Sequence, residues 1–122
     1  MSLGRSTIGF SLFAIALALA GSACGSSSPA APTASADVTI SMLGDRGNQS
    51  YSPNPTTMRV GQTVAWKNTD STAHDATQDA GRFTSATVNA GGTSAPLAMS
   101  TAGTFTYHCT IHPGMVGTLT VQ

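Results

Sequence analysis

The segment "TFTYHCTIHPGMVGTLTVQ", Thr104 to Gln122, holds two stretches of alternating residues separated by a turn in which Cys109, His112 and Met115 recur at intervals of three. Alternation with period two is the pattern of a half-buried strand, and Pro113 and Gly114 supply turn chemistry between the two. The chain is therefore predicted to double back here. A single bend of this kind can bring a thiolate, an imidazole and a thioether around one point. Alone the spacing decides little, because three such residues can fall in any turn.

The rest of the chain repeats the strand pattern. "DVTISML" alternates Val38, Ile40 and Met42 with polar residues, and "TTMRV", "TVAWKN" and "TSAPLAMS" are further β-rich runs. "GDRGNQSYSPNP" is dense in turn formers and reads as a loop, and the stretch from Asp70 to Gly92 is small and polar apart from Phe83 and Val88. Short strands punctuated by Gly, Pro and Asn predict an all-β fold, a sandwich or a barrel. Its expected core is Val38, Ile40, Val60, Val64, Trp66, Phe83, Leu97, Phe105, Tyr107, Leu119 and Val121. Met42, Met58 and Met99 are scattered and read as packing residues, not as a metal-binding tract.

The N-terminal part is different. Arg5 is the only charge before the apolar run "IGFSLFAIALALAG", which has the length of a signal-peptide core and falls short of the roughly 20 apolar residues of a membrane span. Residues 1–23 are expected to be a signal peptide. Cys24 follows it, and then the Ser/Ala/Pro-rich residues 24–36, a flexible tether. This arrangement resembles a bacterial lipoprotein precursor, although Gly21 stands where that family usually has leucine. The resemblance implies lipidation of Cys24; the alternative is cleavage after Ala20 or Ala23 and release of a soluble protein. The reading is of an exported protein of the periplasm or cell-envelope surface, touching the membrane only through a lipid at Cys24.

Residues 37–122 then form the working domain. It carries five aspartates, no glutamate and four cationic residues, so its net charge is near −1. No basic patch supports nucleic-acid binding. The chain has two cysteines; if Cys24 carries lipid, Cys109 is an unpaired thiol in an oxidising compartment, a liability unless a metal occupies it. His108 and Cys109 are neighbours on a strand and should point to opposite faces, which leaves His74, in "KNTDSTAHDAT", as the partner for Cys109 and His112. Two imidazoles, a thiolate and a weak methionine sulfur form the donor set of blue-copper electron-transfer sites. Zinc competes, but structural zinc sites favour closed sets of cysteine and histidine.

These residues resemble the plastocyanin-like cupredoxins, with a short ligand loop of the amicyanin type. "YSPNPTTMRVGQTVAWKN" is similar to the family's segment before its first histidine, and "AGTFTYHCTIHPGMVGTLTV" to its C-terminal end. The resemblance implies a Greek-key β-sandwich binding one type 1 copper ion through His74, Cys109, His112 and, axially, Met115. It also implies an electron exit at the edge of His112, with Pro113 and Gly114 in an apolar docking patch. The implied function is a monomeric one-electron carrier, not an enzyme, that docks transiently with a redox donor and acceptor. An envelope carrier or buffer that passes on copper itself is the alternative. Where the family commonly has asparagine after the first histidine this chain has Asp75, whose charge, if it lies near the site, favours Cu(II).

Overall fold

The structure, a computed structural model, describes residues 34–122 together with Gly25. The expected signal peptide, Cys24 and most of the tether lie outside the described residues. Eight strands follow in chain order: β1 (Val38–Met42), β2 (Tyr51–Ser52), β3 (Thr56–Met58), β4 (Thr63–Asn68), β5 (Thr77–Gln78), β6 (Leu97–Ala98), β7 (Gly103–His108) and β8 (Val116–Val121). A single 3-10 turn spans Gly47–Gln49. Among the described residues no helix is long and apolar enough to cross a membrane.

Two four-stranded sheets form, in the orders β2-β1-β4-β6 and β3-β8-β7-β5. β1 runs parallel to β4 with Ile40 opposite Trp66 and Met42 opposite Asn68. β3 runs parallel to β8, and β7 and β8 are antiparallel with Phe105 opposite Leu119 and Tyr107 opposite Gly117. The period-two pattern turns one side of each strand inward. Ile40 and Met42 on β1, Val64 and Trp66 on β4, Phe105 and Tyr107 on β7, and Leu119 and Val121 on β8 are buried together. Apolar side chains from both inner faces fill the space between the sheets, the arrangement of a β-sandwich. Cys109 stands just past β7 and keeps the parity of Phe105 and Tyr107, so it enters the same core at 0% exposure.

Aromatic side chains knit the two sheets together. Tyr107 meets Tyr51 edge-on at 4.8 Å and Trp66 at 5.8 Å, while Trp66 stacks on Phe83 at 5.7 Å. Gly117 makes room for this cluster, because a Cβ on it would run into the ring of Tyr107. The scattered methionines Met42, Met58 and Met99 are buried in the core.

Two sequence expectations need correction. Val60 is 47% exposed. β3 ends at Met58, and the chain turns over Arg59–Gln62 through a Gln62 N–H to Arg59 carbonyl bond of 3.1 Å, which carries Val60 off the inner face. The turn-rich stretch before Pro53 is also more than a loop. It contains the 3-10 turn and β2, and Tyr51 is buried at the centre of the aromatic cluster. Val38, Phe83 and Leu97 are only partly buried, packed against the core from its rim.

Two predictions follow from this packing. Gly117→Ala should destabilise the fold by about 1–3 kcal/mol, the usual cost of overpacking, read as a lower urea midpoint at unchanged slope. The second concerns Asp37, whose carboxylate accepts the Thr63 N–H at 2.8 Å and hydroxyl at 2.9 Å and so ties the start of β1 to β4. These bonds hold its pKa below the ordinary 3.8. Its contribution is present above the unfolded value and lost as pH falls through the lower folded one. Asp37→Asn should therefore shrink the drop in stability between about pH 5 and pH 2, measured by urea titration at each pH.

Candidate metal centre

The strands end together at one pole of the sandwich, and the chemistry sits there. His74 follows β4 and is fixed by a two-way backbone bridge to Val88, with its N–H on the Val88 carbonyl at 3.1 Å and its carbonyl on the Val88 N–H at 2.7 Å. Asn68 at the end of β4 braces the same loop, its Nδ2 donating to the carbonyls of Thr72 at 2.7 Å and Val88 at 2.9 Å. On the other sheet, the turn after β7 is closed by its own backbone. The Met115 N–H donates to the His112 carbonyl at 2.9 Å, and the Cys109 N–H donates to the Met115 carbonyl at 3.1 Å. Cys109, His112 and Met115 are thus held in one tight loop, with Pro113 and Gly114 exposed at its tip.

Side-chain donors converge across the gap between the sheets. Nδ1 of His74 lies 3.1 Å from Nδ1 of His112 and 3.9 Å from Sγ of Cys109, and all three donor atoms fall within 4.8 Å of one another. Metal bonds of about 2.0–2.3 Å set donors that share an ion roughly 3–4 Å apart, so His74 Nδ1 stands at shared-ion spacing from both His112 and Cys109. Burial pushes the Cys109 thiol above its usual range, against the pull of the Asp75, His112 and Ile111 N–H groups. A cation in contact with the sulfur reverses that cost, since a coordinating thiol is deprotonated outright. Met115 is fully buried beside them, tied through its backbone to both loop residues. His108 faces away as its strand parity demands, 35% exposed and paired with Asp79 at 2.7 Å.

Asp75 proves to be a structural part of this pole and not a solvated loop residue. Its carboxylate accepts the Thr110 N–H at 2.6 Å, the Thr110 hydroxyl at 3.0 Å and the Thr77 hydroxyl at 2.7 Å. Its own N–H donates to Cys109 Sγ at 3.4 Å, and its carbonyl accepts the Tyr51 hydroxyl at 2.5 Å. Burial works to raise its pKa, but the hydrogen bonds from Thr77, Cys109 and Thr110 outweigh it and hold the carboxylate ionised. Sequence reasoning missed Tyr51 and Asp70. The signals were a lone large aromatic in a turn-rich stretch and an acid four residues ahead of His74.

A two-sheet β-sandwich with a His-Cys-His set at one pole defines a cupredoxin, the class of small proteins that carries one electron on a single type 1 copper. The comparisons with known proteins agree. Residues 38–122 match the model of the copper-binding proteins of the plastocyanin/azurin family, and the chain belongs to that family. A plastocyanin of Scenedesmus fuscus is 34% identical over 98 residues, covering 70% of this chain and all of the relative. Among solved structures, a purple cupredoxin of Nitrosopumilus maritimus is 31% identical with a TM-score of 0.61, covering 70% of this chain and all of that one. The Cu(I) form of a methionine-to-alanine variant of amicyanin is 25% identical with a TM-score of 0.63, covering 75% of this chain and 87% of that one.

The charge on Asp75 makes a measurable difference. In Asp75→Asn, the amide oxygen still accepts the Thr110 N–H while the NH2 donates to the two hydroxyls, so the loop is kept and the charge is lost. The reduction potential should rise by an amount on the order of tens of millivolts, from the loss of one charge close to the sulfur. An unchanged or lower potential in voltammetry would show that this carboxylate does not tune the site.

Proposed function

We propose that the chain is an exported carrier of single electrons in the cell envelope, with His74, Cys109 and His112 as the strong copper ligands and Met115 as the weak axial one. Copper held there supplies a Cu(II)/Cu(I) couple. The observation that carries the reading is the convergence of two imidazole nitrogens and one thiol sulfur, from loops more than thirty residues apart, within 4.8 Å. The soft and hard donors together suit both oxidation states. Their hydrogen bonds and burial hold them in one arrangement, which favours exchange of an electron over rearrangement of ligands.

Exposure separates an electron carrier from a protein that hands over copper. Cys109 and His74 are buried and only His112 is partly open to solvent, so the chain offers an incoming protein no second ligand with which to take the ion. It offers an apolar rim instead. Ile111 and Val116 are 47% and 42% exposed on either side of Pro113 and Gly114. In this reading His112 is the electron's exit and the rim is where a redox partner docks, by brief contacts of small area. Residues 1–23 act as the signal peptide and residues 24–36 as a tether lipidated at Cys24, a reading supported by the apolar run after Arg5 and the Ser/Ala/Pro composition that follows.

The test is a visible absorption spectrum of the full chain after addition of Cu(II), with ascorbate then added to the same cuvette. An intense blue thiolate-to-copper band that bleaches on reduction, together with slow loss of copper to a chelator, is expected. A colourless complex would remove Cys109 from the ligand set, and rapid surrender of copper would favour metal transfer over electron transfer. Cys109→Ser should abolish the band while leaving the sandwich folded by circular dichroism.

A further inference from the structure

Asp70 stands behind His74, on the side of the ring away from Cys109. Its Oδ2 is 2.7 Å from Nε2 of His74. The Thr72 hydroxyl donates to the same Oδ2 at 2.9 Å and lies 3.2 Å from Nε2. The proton assignment closes without choice. A carboxylate only accepts, and the single hydroxyl proton of Thr72 is already given to Asp70, so both oxygens facing Nε2 are acceptors. Nε2 must carry the ring proton, and in the neutral imidazole Nδ1, the atom that faces His112 and Cys109, is left as a bare lone pair.

Asp70 is itself held in place. Its N–H donates to Asn68 Oδ1 at 2.9 Å, and Asn68 also ties down the Thr72 and Val88 carbonyls. The backbone of Gly44 lies flat against the carboxylate: a Cβ there would sit 3.1 Å from Oδ2, and Gly44 adopts φ +95°, a conformation that side-chain-bearing residues rarely take. Asn68 and Thr72, from β4 and its following loop, with Gly44 from the turn after β1, thus build a seat for the Asp70 carboxylate against one ring nitrogen.

We propose that Asp70 is a positioning residue for the copper centre: it fixes His74 in the Nε2–H tautomer, aims Nδ1 at the metal and strengthens that nitrogen as a donor. The proposal rests on His74 being a ligand. Hydrogen-bonded carboxylates behind metal-binding histidines set tautomer and ring orientation and raise ligand basicity, and losing one typically lowers metal affinity about 10–100-fold. Asp70→Asn keeps an acceptor oxygen for the Nε2–H but removes the charge. Asp70→Ala removes both. The two variants therefore separate orientation from electrostatics.

The experiment uses the full chain in three forms, wild type, Asp70→Asn and Asp70→Ala. Long-range 15N–1H correlation spectra of the metal-free proteins read the tautomer of His74, where no copper on Nδ1 dictates it; chelator competition reads Cu(I) affinity, and voltammetry of the copper-loaded proteins reads the potential. Wild type and Asp70→Asn should show a hydrogen-bonded Nε2 proton on His74, and Asp70→Ala should lose it. Copper affinity should fall about 10–100-fold in Asp70→Ala and less in Asp70→Asn, with a raised potential in both. An Asp70→Ala protein that keeps the Nε2 proton and binds copper within a factor of two of wild type would overturn the proposal. Should that variant not fold, an Asp70→Asn protein with wild-type potential and affinity would overturn it equally. A wild-type protein without a blue Cu(II) band would instead overturn the ligand assignment on which the proposal rests.

Discussion

The copper pole depends on the contact between Asp75 and the peptide joining Cys109 to Thr110. Asp75 gives its N–H to the Cys109 sulfur and takes the Thr110 N–H on its carboxylate. One residue thereby locks the His74 segment against the Cys109 loop. The His74 segment leaves β4 of one sheet and enters β5 of the other, where Thr77 pairs with His108 beside Cys109. The Asp75 contact continues that pairing into the loops, where the two histidine rings and the sulfur converge within 4.8 Å.

The remainder of the molecule can be understood as support for that lock. Tyr51 reaches through the core from β2 to hold the Asp75 carbonyl, and its ring is pinned edge-on against Tyr107. Tyr107 lies two residues before Cys109 on the same inward face of β7. The aromatic cluster that stabilises the sandwich is therefore the floor on which the ligand loop stands. This coupling places the rigid part of a small domain directly beneath its site, where pre-organisation matters most.

The environment around the donors is lopsided in charge. Asp70 and Asp75 approach the site from different sides, and no cationic side chain is hydrogen-bonded to either among the described residues. His74 bonds one carboxylate directly, while the other lies one peptide away from the Cys109 sulfur. Buried or half-buried carboxylates interact more strongly there than in water, and they favour the more positive oxidation state of a bound ion. The fold holds them ionised with hydroxyl and N–H donors, so the charge is fixed in position and does not depend on flexible surface lysines or arginines.

The sequence by itself determined the fold class and pointed to the side chains that the structure gathers at one pole, His74, Cys109 and His112. Period-two alternation marked β1, β4, β7 and β8, and the three-residue spacing of Cys109, His112 and Met115 is a local property that a single turn enforces. Strand parity was enough to send Cys109 inward and His108 outward. Tertiary structure decided everything that joins residues far apart in the chain. Tyr51 looked like part of a loop because only its packing against Tyr107, which lies on the other sheet, gives it a place in the core. Val60 carried the right parity and composition for the core, but the backbone turn at Arg59–Gln62 took it outside. Asp75 stood out in the sequence only as a charge where asparagine is usual; whether it lay near the site was hidden because its partners, Thr110 and the Cys109 sulfur, are more than thirty residues away. The roles of both aspartates follow from hydrogen bonds, which are directional and short, and no pattern along the chain records which distant donor will arrive within 3 Å.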